Sequence, residues 1–340
     1  MRASDPIRRP RPGRSGLARR NRRRGSAVVA AVAVLAGCAS DDGTVEELHT
    51  SAGGTALSAA LDRIAASDAA AEYIEFGATQ RIDELSGGSF DGVWGSLDGW
   101  GSSPVARHRE ELPDVLGIDL RSAASTLTVN QPPHSVTLIE GGQDAARITS
   151  ASTDSGWSGD DVLSLEMEVS QPLSIPAPHV MPTGSDVAVG AIAADMSIVD
   201  PGERSLADAP SVGGIAACLD DVVAALILRV GSDPVGLGVR ESGDTDRPVS
   251  VVCVPAPTAD DAERLVDGIS HAITSGAPAS GRPYSDLFAE PSGTVLRTGA
   301  ERDHVVRVEV PHADGAFANT MFQLALSREL PGLTVDGSPG

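Results

Sequence analysis

Three of the seven histidines directly follow a proline: His134, His179 and His312, with Asp314 two residues past the last. Three imidazoles and a carboxylate are a donor set that zinc accepts in tetrahedral geometry. Their spacing matches no short metal signature, so they read as polar positions in solvated loops, and no metal or cofactor is expected. Asp303-His304 offers an acid-base pair at the start of a strand, but a base needs a nucleophile. The chain has no Gly-X-Ser-X-Gly elbow and no cysteine set against a histidine, the two commonest settings for one. It contains no lysine at all, which excludes serine-lysine hydrolases, Schiff-base enzymes and P-loop nucleotidases. The acidic pairs Asp160-Asp161, Asp220-Asp221 and Asp260-Asp261 lack the Asp-X-Asp-X-Asp-Gly calcium loop and read as helix capping and solubility. No catalytic residue is assigned. The alternative of a hydrolase requires a Ser or Asp within hydrogen-bond reach of His134, His179, His304 or His312 inside one pocket.

The cysteines carry a clearer chemistry. The apolar run Ala27 to Ala36 follows Arg19, Arg20, Arg22, Arg23 and Arg24 and ends in Leu35-Ala36-Gly37-Cys38. A basic region, a short apolar region and small residues before the cut make a secretory signal peptide over 1–37. A cysteine at that place resembles the bacterial lipobox, making Cys38 the first mature residue and the site of acyl chains such as palmitate. A transmembrane helix is the competing reading. Ten residues, however, rise only about 15 Å, half of a hydrocarbon core of roughly 30 Å. Cys218 and Cys253 then remain as a pair outside the cytoplasm, where a disulfide is expected.

Removing residues 1–37 takes away ten arginines and one aspartate, leaving 16 basic and 46 acidic residues and a net charge of −30, against −21 for the whole chain. Such a surface repels nucleic-acid phosphates and anionic headgroups, so nucleic acid is excluded as a partner. Attachment to the membrane must come from lipid on Cys38.

The elements that would position any site follow from period and punctuation. Residues 38–54 are polar and read as a flexible tether. Leu57, Ala60, Leu61 and Ile64 recur at helical spacing. Residues 86–103 are rich in glycine and interleaved with Phe90, Trp94 and Trp100. They read as an ordered surface loop in which Trp94 and Trp100 are the candidate binding surface. Ser103-Pro104 opens a helix expected to stop before Pro113. Strands follow at 126–129, 135–139 and 162–169, with one or two more over 186–199, and a helix at 141–155. Past Pro201-Gly202 come a helix from Ser211 and strands at 225–230, 235–239 and 249–254. Next is a strong amphipathic helix after Thr258, with Ala262, Leu265, Val266, Ile269, Ala272 and Ile273 on one face. Strands at 294–297 and 304–310 precede a last helix over 316–329 that turns Phe317, Met321, Leu324 and Ala325 inward. Asp144-Ala-Ala-Arg-Ile148 and Asp261-Ala-Glu-Arg-Leu265 each follow a strand, which suggests an internal duplication. The fold expected is α+β: antiparallel-rich sheet layers covered by helices, as two related halves, 55–205 and 206–332, with a tail at 333–340.

The precursor resembles the secreted lipoproteins of high-GC Gram-positive bacteria. The likeness rests on Leu35-Ala36-Gly37-Cys38, Gln143-Asp144-Ala145-Ala146-Arg147, Val199-Asp200-Pro201-Gly202 and Ala217-Cys218-Leu219-Asp220-Asp221-Val222-Val223-Ala224. It implies an anchor on the outer face of the cytoplasmic membrane and carries over no activity. The functional expectation is a non-catalytic binding, sensing or accessory module of the envelope, acting on an unidentified ligand or protein partner. The alternatives are the hydrolase above and the solute-binding component of a transporter, which needs two hinged lobes.

Overall fold

A computed structural model describes residues 54–330 apart from 169, 244, 280 and 298–303, together with the backbone of Val45–Glu47. The expected signal peptide, Cys38 and the 333–340 tail lie outside the described residues. Within the expected tether, Val45–Glu47 forms a strand, β1. The first half continues with α1 (Ala56–Asp62), β2 (Tyr73–Gly77), α2 (Thr79–Ser86), α3 (Ser103–Ala106), α4 (Leu112–Val115), β3 (Ser125–Val129) and β4 (Val136–Glu140). It closes with α5 (Ala145–Asp154), β5 (Leu163–Ser164), β6 (His179–Thr183) and β7 (Asp186–Gly190). The second half runs α6 (Pro210–Leu219), β8 (Ala224–Val230), β9 (Asp233–Ser242), β10 (Thr245–Ala256), α7 (Ala259–Ser275), β11 (Ser292–Arg297), β12 (His304–Pro311) and α8 (Thr320–Leu326).

The fold is α+β, built on one twelve-stranded sheet of order β1-β11-β12-β10-β9-β8-β2-β3-β4-β7-β6-β5. Its pairings are antiparallel except β1 on β11, which is parallel. β2 and β8 meet in the middle, from Tyr73↔Leu228 to Gly77↔Ala224. Outward from this seam the halves repeat one another: β2-β3-β4-β7-β6 on one side, β8-β9-β10-β12-β11 on the other. In each, a helix precedes the first strand, a second helix follows the third and a closing pair ends the run; the first half alone inserts α2–α4 between β2 and β3 and adds β5 at the edge. Because β2 and β8 are equivalent and antiparallel, the halves are related by a pseudo-twofold axis normal to the sheet. The chain crosses from one half-sheet to the other between β7 and α6. The two Asp-Ala-X-Arg motifs sit on the equivalent helices α5 and α7 but one turn out of register, since Asp144 caps α5 whereas Thr258, three residues before Asp261, caps α7.

Both faces of the sheet are covered. On one, Leu57 and Leu61 of α1 and Ile215 and Leu219 of α6 pack against Ile74, Phe76, Ile227 and Val251. On the other, α7 and α8 cover Val252, Val254, Val306 and Val308. Beyond the seam on that same face, Ile148 of α5, Trp157 and the 105–120 segment cover Ile139, Val187 and Val189. Fully burying one such aliphatic side chain is worth about 1.5–3 kcal/mol, so these cores rather than helix propensity hold the short helices. Cys218 of α6 and Cys253 of β10 are both buried and disulfide-bonded, with Cα atoms 6.1 Å apart. The bridge ties helix to sheet as expected.

Several local expectations are corrected. The helix from Ser103 ends at Ala106, and Pro113 opens α4 in its first turn instead of stopping a longer helix. The strand read over 162–169 is only Leu163–Ser164, at the sheet edge. α8 covers Thr320–Leu326, and Phe317, outside it, is 55% exposed. β2 and β6 were not read from the sequence at all.

Candidate functional site

The halves meet in a cleft of about 660 Å³ at the end of the seam where Tyr73 of β2 faces Leu228 of β8. The first half supplies the 67–73 segment, the β3–β4 hairpin and the loop after β7; the second supplies Arg229 and Gly231. The hairpin is shaped by Asn130, whose left-handed φ of 61° turns the chain and whose N–H donates to Tyr73 O at 2.9 Å. A Pro132-Pro133 pair with a cis bond forms its tip. His134 then comes back toward the sheet, with its Nδ1 3.0 Å from Ala193 O. The loop after β7 continues the hairpin as a ribbon: Ala191 N–H donates to Ser135 O and Ala193 N–H to Pro133 O, both at 2.9 Å.

Polar groups dominate the lining. Asp195 accepts from Ser197 N–H at 3.0 Å and Ser197 Oγ at 2.6 Å, and these bonds hold its carboxyl below the usual carboxylate range. The Arg229 guanidinium donates to the backbone carbonyls of Ser232 (3.4 Å) and Asp68 (3.3 Å). Tyr73 donates its hydroxyl to Glu75 Oε2 at 2.8 Å, and desolvation with the adjacent carboxyl pushes the phenol well above its ordinary range. Glu75 lies beneath, 1% exposed. Its Oε1 accepts from Gly101 N–H at 2.8 Å and Ser103 Oγ at 2.5 Å, and burial raises its pKa. The polar row continues across the sheet, where Thr128 Oγ1 donates to Gly101 O and lies 2.8 Å from Thr137 Oγ1.

Trp94 and Trp100, expected as a binding surface, are instead core residues, 5% and 8% exposed. The glycine-rich stretch is ordered, as expected, but it folds down onto the sheet. Trp100 Nε1–H donates to Ala225 O at 3.0 Å and the ring stacks on Phe322 at 4.5 Å, so the segment is a roof over the seam. Gly77 permits this approach: a Cβ there would sit 2.2 Å from Trp100 O. Trp157 is also buried, with Nε1–H on Ala177 O at 3.1 Å.

The histidines are dispersed. His134 lines the cleft. His179 Nδ1 lies 3.0 Å from Ser164 Oγ near the sheet edge. His312 Nε2 lies 2.7 Å from Ser250 Oγ, with both residues fully buried and His312 edge-on to Phe288. Asp314 pairs with Arg247 at 3.0 Å, and Asp303 lies outside the described residues. Among the described residues no three His, Cys, Asp or Glu side chains converge as a metal site, and no helix is long and apolar enough to cross a membrane. Tyr73, Asn130, Asp195 and Arg229 carry no motif in the sequence. The one local signal is Gln131-Pro132-Pro133 between two strands, which marks a turn without showing what faces it. No family model, no curated protein and no solved structure matches this chain.

Proposed function

We propose that this chain is an extracytoplasmic lipoprotein, held on the outer face of the membrane by lipid on Cys38, whose body is a non-catalytic binding module of the cell envelope. The observation that carries the reading is the cleft of about 660 Å³ between two topologically equivalent halves, a size and position typical of ligand sites. Its residues offer hydrogen-bonding groups fixed to paired backbone, the arrangement that recognises a ligand rather than transforms one. The Ser250–His312 pair lies inside the core, both residues fully buried. The continuous sheet supports one body and gives no hinge for a two-lobed transporter component.

Two measurements test the reading. Cells expressing the full chain are labelled with radioactive palmitate. Label is expected in the membrane fraction and should vanish with Cys38→Ala; label that persists in the variant would remove the anchor from the proposal. Native mass spectrometry of the exported chain carrying Cys38→Ser, which removes the acylated thiol, is expected to show a population heavier than the polypeptide, and this excess should be lost with Gln131→Ala combined with Asp195→Ala. An excess unaffected by those substitutions places binding elsewhere.

A further inference from the structure

We infer that the cleft takes the head of an amphiphile, a neutral polyhydroxylated group such as a saccharide, and that an apolar groove across the same hairpin takes its hydrocarbon tail. This rests on the binding-module reading and names the ligand class of that site. The β3–β4 hairpin and the turn after β7 stand between two concavities. His134 and Ala193 line the cleft, whereas Pro133, Ser135, Ala191 and Ile192 line a second concavity of about 440 Å³. Pro132, at the tip, lines both. A ligand passing over that one residue would reach from one into the other.

The two sides differ in chemistry. The groove is walled by Pro104, Pro133, Pro176, Ile175 and Ile192, with Arg107 the one charged residue of its lining. Ile175 is 53% and Ile192 46% exposed, so two large apolar side chains lie open to the groove side by side with its prolines. The cleft presents Ser67, Glu72, Asn130, Gln131 and Asp195 beside the faces of Tyr73 and Pro132. Carboxylates accept and amides both accept and donate, which is what vicinal hydroxyls require. An anionic head is disfavoured twice over. The mature chain carries a net charge of −30, and the cleft lining sets the two carboxylates of Glu72 and Asp195 against the one guanidinium of Arg229. A polar cleft and an apolar groove that share Pro132 favour one molecule bearing both characters over a free sugar or a free fatty acid.

The test uses the full chain carrying Cys38→Ser, exported to an oxidising compartment and kept free of detergent. It is titrated calorimetrically with maltose, with dodecyl maltoside below its micelle-forming concentration, and with dodecylphosphocholine, which has the same tail and a zwitterionic head. Dodecyl maltoside is expected to bind at least about tenfold more tightly than either, because burying a few methylenes is worth that much. Ile192→Glu, on an exposed position, should reduce dodecyl maltoside to the affinity of maltose and leave maltose unchanged. Gln131→Ala should weaken both glycosides and spare dodecylphosphocholine. Equal binding of the two dodecyl probes, indifference to Ile192→Glu, or binding of neither glycoside overturns the inference. In that event a mass excess in the native spectra would keep the binding module, and its absence would retire both.

Discussion

Glu75 places a carboxyl where water does not reach, with two donors on Oε1 and the Tyr73 hydroxyl on Oε2. Burial outweighs those bonds and raises its pKa, so the native state holds the proton more tightly than the unfolded chain does. The associated stability is full below the unfolded pKa and is lost as pH rises through the native one. Glu75→Gln keeps an oxygen for Gly101 and Ser103 and offers an N–H to the Tyr73 oxygen. Its melting temperature at pH 8 is expected to equal or exceed that of the native chain, with the gain shrinking toward pH 4; a lower value at pH 8 would contradict this. Glu75→Leu strands buried donors and should cost about 1–3 kcal/mol for each. His312 works in the opposite direction. Desolvation lowers its pKa to about 4 from 6.5, so the neutral ring is favoured in the fold and stability present above pH 6.5 drains away as pH falls toward 4. The loss approaches about 3 kcal/mol at 1.36 kcal/mol per unit. Denaturant midpoints between pH 7 and pH 4 should therefore fall more steeply for the native chain than for His312→Asn, and parallel slopes would show that His312 is not the group responsible.

At the scale of elements, α6 shows what the disulfide is for. The helix has no side-chain cap at Ala209 and contains Gly213 and Gly214, each costing roughly 1 kcal/mol of helix propensity. Nevertheless its Val212, Ile215 and Leu219 must stay seated on the sheet. Bridging Cys218 to Cys253 across a separation of 35 residues should contribute on the order of 3–4 kcal/mol by restricting the unfolded chain. Cys218→Ala with Cys253→Ala is expected to lower the unfolding free energy by that amount in urea melts, and a loss under about 1 kcal/mol would mean packing alone secures α6. Legibility in the sequence follows the same physics. α7 could be read because Thr258 caps it and Ala262, Leu265, Ile269 and Ile273 form a stripe that local period alone dictates. β2 could not, because Glu75 between Ile74 and Phe76 imitates a solvent-facing position, and it is buried only by the distant 99–103 roof. β6 carries Pro182, which argues against a strand until the neighbouring β7 is in place. Trp94 and Trp100 were misread for a related reason: glycine-rich sequence signals a loop without saying which way it folds, and the groove in the sheet that admits Trp100 is made by Gly77.

For the whole molecule, the question is whether two related halves are two domains. The pseudo-twofold repeat lies in strand order rather than in the paired Asp-Ala-X-Arg motifs, which sit one turn out of register on α5 and α7. One core nonetheless draws on both halves, joining Leu57 and Ile74 to Ile215, Ile227 and Val251. The seam itself is five ladder pairs between β2 and β8. Severing it would leave Ala224-Ala225-Leu226-Ile227-Leu228 as a bare apolar edge, which is an invitation to aggregate. Thr44–Gly340 is one compact unit, and it is expected to unfold in a single calorimetric transition whose van't Hoff and calorimetric enthalpies agree, with a heat-capacity change of about 4 kcal/mol/K for a body of this length. Residues 206–330 expressed alone should be insoluble, and co-expression with 44–205 should rescue them as a soluble pair, because the missing partner strand and α1 are returned. Two resolved transitions, or a soluble and cooperatively folded 206–330, would make the halves independent domains and would turn the cleft at the seam from a fixed site into one that opens and closes.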